Sequence, residues 1–210
     1  MSLVPKEPAM SRLLLASSLL VALCSCKATV RPTVSPADFA PATNPVPGEI
    51  ALVVSEDLRT FTGESGNWLD FKTWVFEVGP CTVDAFRYAL EERFSSVRVV
   101  PEEATLDAAE DSPRPVLARI EPEIVAFDGD EPWVFKFETY AVDLRCRVRV
   151  RDAEGRLLYE RDYDARGTKR GSVGFESAGH AAHPEAYREA VLSIVRQVAD
   201  DLVGAVAIEG

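Results

Sequence analysis

Hydrophobic residues recur along this chain with two different periods, which together predict the order of its strands and helices. Residues 49–55 (EIALVVS) form a short apolar run rich in β-branched residues, typical of a buried strand. Residues 70–78, 97–100 and 116–127 predict three further strands. Because Pro122 interrupts the last of these, we expect it at a sheet edge or beside a bulge.

Two other stretches repeat their apolar residues every three or four positions, which predicts amphipathic helices. The first follows Gly79-Pro80, since proline suits the first turn of a helix, and the second covers about residues 184–206. The first helix is predicted to bury Val83, Phe86, Ala89, Leu90 and Phe94. The second is predicted to bury Tyr187, Val191, Ile194, Val195, Val198 and Leu202.

The most regular pattern, in residues 133–151 and 156–166, predicts a long antiparallel hairpin that turns at residues 152–155. Apolar and charged residues alternate along its first strand, so Val142, Leu144, Cys146, Val148 and Val150 face the core and Asp143, Arg145, Arg147, Arg149 and Arg151 face outward. Acids alternate in the same way on the return strand. We expect Arg147 opposite Glu160 and Arg145 opposite Asp162. Such pairing would neutralise the arginines and argues against binding of phosphate or an acidic glycan.

Three aromatic residues upstream in the hairpin are out of phase with the core positions. In a continuous strand, Trp133, Phe135 and Phe137 would lie on the face opposite to Val142 and Leu144. Either a bulge near residues 138–141 switches the phase, or the aromatics form an exposed patch for a partner protein or the membrane interface.

These elements predict an α+β fold, with a mostly antiparallel sheet of about five strands and two amphipathic helices packed on one face. Residues 49–210 have a size suited to a single globular domain. Residues 26–48 are rich in Pro, Ala and Thr and lack apolar periodicity, which is typical of an extended tether. Residues 56–68, with their glycines and serine, predict a loop, and residues 167–179 predict a mobile one.

The strongest apolar run, residues 13–23, follows Arg12 and has the length of a signal-peptide core. It is shorter than the roughly 20 residues that a membrane-spanning helix needs. A start at Met10 instead of Met1 would make this leader more compact. The run ends in Leu-Cys-Ser-Cys, residues 23–26, which resembles the bacterial lipobox.

That resemblance implies that residues 1–25 are a lipoprotein signal peptide and that Cys26 becomes the lipidated N-terminus, carrying acyl chains such as palmitate. The alternative is an ordinary signal peptide, although Leu23 stands where a plain cleavage site prefers a small residue. In Gram-negative lipoproteins, Asp after the cysteine favours the inner membrane. Lys27 in that position implies the periplasmic side of the outer membrane.

The formal net charge is −11, and removal of residues 1–25, which carry one net positive charge, makes the remaining chain still more acidic. An acidic chain argues against nucleic-acid binding and against attachment to anionic lipid by charge. We therefore expect the membrane to be a partner only through the N-terminal lipid anchor.

The candidate chemical groups are few. Cys81 and Cys146 could form a disulfide in an oxidising compartment, or remain two buried thiols. His180 and His183 are weak candidates for metal ligands, since no third His or Cys is nearby and Pro184 indicates that His183 caps the last helix. We find no pattern typical of a catalytic or nucleotide-binding site, so we expect no cofactor and no enzyme activity.

The order of elements after the tether resembles small outer-membrane lipoproteins of the LptE and YajG-like type, over about residues 49–206. The resemblance rests on a strand, a helix (VDAFRYALEERF), a short strand (VRVV), a long hairpin turning at VRDAEGRLL and a final amphipathic helix. It implies a non-enzymatic accessory domain that serves envelope machinery by binding a protein partner. The alternatives are a module that binds an envelope lipid or glycan, and a metal-dependent hydrolase that uses His180 and His183.

Overall fold

The computed structural model of the protein describes residues 26–40, 43–66, 72–102, 115–130, 139–170 and 178–209. The strands are β1 (Cys26–Val30), β2 (Val46–Val54), β3 (Thr62–Gly66), β4 (Lys72–Glu77), β5 (Phe94–Pro101), β6 (Val116–Asp130), β7 (Thr139–Arg151) and β8 (Leu157–Arg170). The helices are α1 (Glu56–Thr60), α2 (Gly79–Glu91) and α3 (Ala178–Glu209), and a 3-10 turn covers Pro36–Asp38.

The strands form two sheets. The larger has the order β5-β2-β6-β7-β8, and the smaller has the order β1-β4-β3. In the larger sheet β2 is parallel to both neighbours, whereas β6, β7 and β8 are antiparallel. The predicted α+β class with a five-stranded sheet is confirmed. Its pairing is more mixed than expected, because β2, β5 and β6 are joined by long connections instead of tight turns.

The core lies on one face of the large sheet, beneath the helices. α3 packs against β7 and β8, and all six residues predicted to be buried on this helix are at most 1% exposed. α2 lies beside β2, β5 and α3, where the hydroxyl of Thr82 meets that of Tyr187. The small sheet lies beside β6 and the start of α3, where the rings of Trp74 and Phe76 contact His183. The helices and the small sheet therefore bury the apolar face together.

The last helix begins earlier than predicted. α3 already starts at Ala178, so Pro184 is inside the helix and His183 does not cap it. The loop predicted at residues 167–179 is in part regular structure, since β8 continues to Arg170. Although α3 has 32 residues, no helix within the described ranges is both long and apolar enough to cross a membrane.

The hairpin of β7 and β8 has the predicted core face, but its pairing differs by two residues. Arg147 lies opposite Asp162 and Arg145 opposite Asp164. The turn causes part of this shift, because Asp152 and Arg156 close a three-residue loop in which Gly155 has a φ of 82°. A register irregularity beside Arg151 adds the rest. A shift of two residues keeps every side chain on its predicted face.

Pro122 lies within a strand that has neighbours on both sides for only part of its length. β2 pairs with β6 as far as Ile120, and beyond that point only β7 continues the ladder. Proline has no N–H to donate, and at this position β2 is no longer there to accept one. The register is also irregular between Ile124 and Ala126. The expectation of an edge or a bulge is met by both features.

The segment before the domain is not the extended tether that its composition predicts. β1 begins at Cys26 and pairs in parallel with β4, and the side chains of Val30 and Phe39 are buried in the core. Asp38 accepts hydrogen bonds from the guanidinium of Arg188 on α3, and Arg196 donates to its backbone oxygen. Residues 26–39 are therefore part of the folded domain, because apolar residues among the prolines and alanines reach core positions.

Residues 56–66 are also more regular than the predicted loop. Ser55 caps α1 by accepting a hydrogen bond from the backbone N–H of Leu58, and Leu58 is buried. β3 then pairs with β4, which supplies order that the local sequence does not indicate. Trp133, Phe135 and Phe137 lie outside the described residues, so the two interpretations of their phase stay open.

We expect Gly167→Ala to destabilise the protein by about 2 kcal/mol, the middle of the usual range for overpacking. A Cβ at Gly167 would come within 1.9 Å of the backbone oxygen of Ala186, so α3 would have to move away from β8. Gly204, also on α3, has nothing within 4 Å of its Cβ position and provides the control. Gly204→Ala should stabilise the helix by about 0.5–1 kcal/mol. Urea denaturation measures both, and a Gly167→Ala protein as stable as the wild type would contradict this packing.

We expect Asp38→Asn to lower the free energy of unfolding at pH 7 by about 1.5–3 kcal/mol, the usual contribution of a hydrogen bond to a charged group. The hydrogen bonds from Arg188 hold the pKa of Asp38 below its ordinary value. The carboxylate therefore stabilises the fold fully above its unfolded pKa of about 4, and this contribution is lost as the pH falls further through the folded pKa.

Denaturation at pH 7 and pH 3 provides the test, with Asp128→Asn as the control at an exposed aspartate. The difference between wild type and Asp38→Asn should shrink at the lower pH. An effect of Asp38→Asn no larger than that of Asp128→Asn at pH 7 would show that the N-terminal segment is not held by this contact.

Candidate functional site

The face of the large sheet opposite the helices carries a dense group of paired charges. We call it the charged face, and it comprises Glu121, Glu123, Asp128, Asp143, Arg145, Arg147, Arg149, Arg151, Glu160, Asp162, Asp164 and Arg166. It arises because the alternation of β7 places every second residue in the core and every other residue outside. β6 and β8 flank β7 and supply acids at the matching positions.

The arginines of β7 bind these acids on both sides. Arg145 pairs with Asp164 at 2.5 Å and Arg147 with Asp162 at 2.9 Å. Arg149 lies 2.7 Å from Glu160 and 3.3 Å from Glu123, and so joins β8 to β6. Arg151 reaches Glu121 at 3.2 Å, and Asp143 pairs with Arg166 at 2.6 Å. The result is a network of ion pairs that spans three strands, in which Arg147 and Arg149 share Glu160.

The ion pairs shift the pKa values of their members. The hydrogen bond to Asp164 raises the pKa of Arg145, and the one to Asp162 raises that of Arg147. The hydrogen bond from Arg147 in turn lowers the pKa of Asp162. All three groups stay charged over the physiological range, although each pair is exposed and contributes little to stability. The network therefore mainly determines register and presents alternating charges.

A recess of about 370 Å³ interrupts the charged face. Its lining includes Ala126, Asp128, Asp143, Arg145 and Arg166. The recess forms because Ala126 is small and stands among longer charged side chains, and the irregularity of β6 beside it puts Ala126 and Asp128 on this face. The recess is open to solvent and has charged side chains around it, and so differs from the enclosed pockets that hold lipids or drug-sized ligands.

This arrangement presents a broad surface of fixed, alternating charges to solvent. The predicted neutralisation of the arginine row is confirmed, although with shifted partners. A phosphate or acidic glycan would have to displace a carboxylate from each arginine that it bound. A protein surface with complementary alternation would meet both signs without breaking the pairs. The charged face is therefore poorly suited to binding a small anion.

Of the two weak metal candidates, only His183 has a side chain that the structure describes. His183 is completely buried, and its ring centroid lies 4.5 Å from that of Tyr140 and 5.3 Å from that of Phe76. The side chain of His180 lies outside what the structure describes. Across the described ranges, no group of three or more His, Cys, Asp or Glu side chains could hold a metal ion. His183 thus fits an aromatic core position better than a metal site.

The two cysteines of the domain do not form the disulfide considered above. Cys81 lies in α2 and Cys146 in β7, and both are free and buried. Burial raises the pKa of each thiol to about 12, so neither is reactive at neutral pH. Each therefore fills core space as a small apolar side chain.

A buried hydrogen bond links α2 to α3 above these thiols. The hydroxyl of Thr82 donates to the backbone oxygen of Val78 and lies 2.5 Å from the hydroxyl of Tyr187. Burial raises the pKa of Tyr187 well above its ordinary value, and nearby Cys81 and Cys146 add to the rise. Tyr187 is thus a permanently neutral structural group.

The sequence patterns do not reveal the aromatic cluster around His183. Trp74 and Phe76 come from β4, Tyr140 from β7 and His183 from α3, so its members are far apart along the chain. The available signal was the alternation of Trp74 and Phe76 along their strand, which marks one face as apolar. Cys26, the predicted lipidation site, is the first residue of β1 and pairs with Lys72.

We expect Arg147→Glu to destabilise the protein by about 1 kcal/mol, because like charges would then oppose one another between Glu123 and Asp162. Combining it with Asp162→Arg should restore most of the loss, since the pair is only reversed. Thermal unfolding of wild type, both single variants and the double variant measures the coupling. A double variant no more stable than Arg147→Glu alone would contradict the pairing.

No family model matches the chain, and no curated protein matches its sequence. Among solved structures, it is similar to a Xanthomonas campestris protein of family DUF330, with 11% identity and a TM-score of 0.49, over 88% of this chain and 98% of that one. It is similar to a candidate lipoprotein from Caulobacter crescentus, with 13% identity and a TM-score of 0.47, over 76% of this chain and 92% of that one.

A minor lipoprotein from Acinetobacter baumannii is similar at 7% identity and a TM-score of 0.40, over 77% of this chain and 94% of that one. The structural similarity is thus to bacterial lipoproteins and a DUF330 protein. With TM-scores below 0.5, these similarities identify neither a family nor a function for this chain.

Proposed function

We propose that this protein is a lipid-anchored, non-enzymatic accessory protein that binds a protein partner on the periplasmic side of the outer membrane. The observation that carries the proposal is Leu-Cys-Ser-Cys at residues 23–26, directly after an apolar run of signal-peptide length. Acylation of Cys26 would hold the protein to a membrane that its acidic surface would not otherwise approach.

Lys27 supports the outer membrane as the address, by resemblance to lipoprotein sorting, in which Asp at this position favours retention in the inner membrane. The resemblance to LptE and YajG-like lipoproteins supports an accessory role in an envelope assembly or transport complex. The charged face supports a protein partner, because its paired charges form a broad surface that is open to solvent.

The two alternative functions fit the structure less well. A metal-dependent hydrolase would need His183 at an accessible site, whereas this side chain is buried among aromatic rings. A module for an envelope lipid would need an enclosed apolar pocket, whereas the recess beside Ala126 is open and has aspartates and arginines around it. That recess could accept hydroxyl groups of a glycan, but its arginines are already paired with acids.

We expect Cys26→Ala to abolish acylation and to release the protein from the membrane fraction, because the thiol of Cys26 is the acceptor for the lipid. Cys24→Ala, two residues away at the variable position of the lipobox, is the matched control and should leave acylation unchanged. Mass spectrometry of the mature N-terminus provides the measurement. An unmodified N-terminal residue other than Cys26 in the wild-type protein would contradict the proposal.

Two substitutions at Lys27 test whether the protein lies in the outer or the inner membrane. Lys27→Asp should move the acylated protein from the outer to the inner membrane fraction, whereas Lys27→Ser should leave it in the outer membrane. Separation of the two membranes by density measures the change. An acylated wild-type protein found in the inner membrane would retain the lipoprotein assignment and overturn the address.

A further inference from the structure

Seven chain positions meet at one end of the molecule, which we call the anchor end. It comprises Cys26 at the start of β1, Gly66 at the end of β3, Lys72 at the start of β4, Asp130 at the end of β6, Thr139 at the start of β7, Arg170 at the end of β8 and Ala178 at the start of α3. Strand pairing shows this directly, since Cys26 pairs with Lys72 and Thr139 pairs with Arg170.

The aromatic cluster places the ends of the two sheets side by side. Trp74, two residues after the start of β4, and Tyr140, one residue after the start of β7, both contact the ring of His183. His183 lies five residues after the start of α3. The position of Gly63 agrees, because a Cβ there would meet the ring of Phe127 near the end of β6.

The hairpin turn marks the opposite end of the molecule. β7 runs for 13 residues from Thr139 to Arg151, and at about 3.4 Å per residue this corresponds to about 40 Å. The turn at residues 152–156 follows immediately, with Glu154 exposed at its tip. The long axis of the large sheet therefore separates Cys26 from Glu154.

We propose that the domain stands on the membrane with the anchor end against the lipid headgroups and with the β7–β8 hairpin turn directed away from the bilayer. The inference rests on the proposed lipidation of Cys26. Its basis is that no flexible linker separates Cys26 from the domain. β1 begins at Cys26 itself, and the following residues are held by β4, by the core and by Arg188. Acyl chains on Cys26 would then bring this end, and no other, to the bilayer surface.

The distribution of lysine supports a headgroup contact at the anchor end. Within the described residues all three lysines lie there, namely Lys27, Lys72 and Lys169, next to the exposed Arg170. Lysine has a flexible stem that can place its charge among lipid headgroups. Lys27 is paired with Glu64 at 2.9 Å, and Asp128 is also close to this end, so charge does not attract the domain. The acyl chains would hold the domain at the membrane, and the lysines would be compatible with a surface that lies against the headgroups.

This orientation has a consequence for the partner. The charged face runs along β7 from Asp143 near the anchor end to Arg151 beside the turn. With the strands upright, that face stands roughly perpendicular to the membrane and is reachable from the side. A partner would thus meet it in the periplasm at heights of up to about 40 Å above the headgroups.

Site-specific fluorescence in liposomes tests the orientation. Thr139→Cys and Glu154→Cys place a label at the two ends of the same hairpin, and both positions are exposed. The native thiols Cys81 and Cys146 stay unlabelled because they are buried, and wild-type protein provides that control. The acylated protein is purified in detergent, its lipid is verified by mass, and it is reconstituted with lipids that carry a quencher on the headgroup.

We expect the label at Thr139 to be quenched several-fold more than the label at Glu154. Equal quenching at both positions, or stronger quenching at Glu154, would overturn the upright orientation while leaving the lipoprotein proposal intact. A mature protein without acyl chains would instead contradict the lipoprotein proposal, and this inference with it.

A second protein tests the cause of the orientation. Insertion of a Gly/Ser segment of about 20 residues between Cys26 and Lys27 would add a flexible linker with a root-mean-square end-to-end distance of about 25 Å. The difference in quenching between Thr139 and Glu154 should then collapse, although the protein remains bound to the liposomes. A difference that persists unchanged would contradict the short anchor as its cause.

Discussion

The close packing of α3 on the apolar face of the large sheet is the contact on which the other parts of the structure depend. At Gly167 the backbone of β8 approaches the backbone of α3 at Ala186 so closely that a side chain would not fit. This approach lets the buried side of α3 reach Val142, Leu144 and Cys146 of β7. The same helix contributes His183 to the aromatic cluster and Arg188 to the N-terminal segment. One helix thus joins both sheets and the start of the folded chain.

Because α3 holds the N-terminal segment, the position of Cys26 is part of the fold. Asp38 binds Arg188 and Arg196, and β1 continues the small sheet, so residues 26–39 follow a defined path over the domain. A tether of the same length would let the domain tumble at a variable distance from a membrane. A docked segment would instead couple an acylated Cys26 to the domain, and the other surfaces would then have a defined direction.

The charged face is the counterpart of the buried core, since both result from the alternation of β7. From Leu144 to Val150 each inward residue is followed by an outward arginine, and the acids of β6 and β8 complete the pairs. Surface ion pairs of this kind add little stability, but a slip of one residue would expose the core and bury the charges. The pattern therefore strongly favours one register, and it leaves an ordered polar surface available for contact with another protein.

The chain alone determined the α+β class, the buried side of α3, most of the buried side of α2 and the two faces of the hairpin, because these follow from local periodicity. Of the residues predicted to be buried on α2, Val83 is only partly buried and Phe94 lies in β5. Several features depended on contacts between distant residues. Pairing with β4 makes strands of residues 26–30 and 62–66, which have little periodicity of their own.

The turn at Asp152 and Arg156, together with the register irregularity beside Arg151, selects the partners of the outward arginines, since a shift of two residues satisfies the same alternation. The lipobox predicts acylation from four consecutive residues, but only the folded chain decides where that cysteine lies. Its position depends on β4 and α3, whose contacts with residues 26–39 bridge gaps of about 40 to 160 residues that no local pattern can encode.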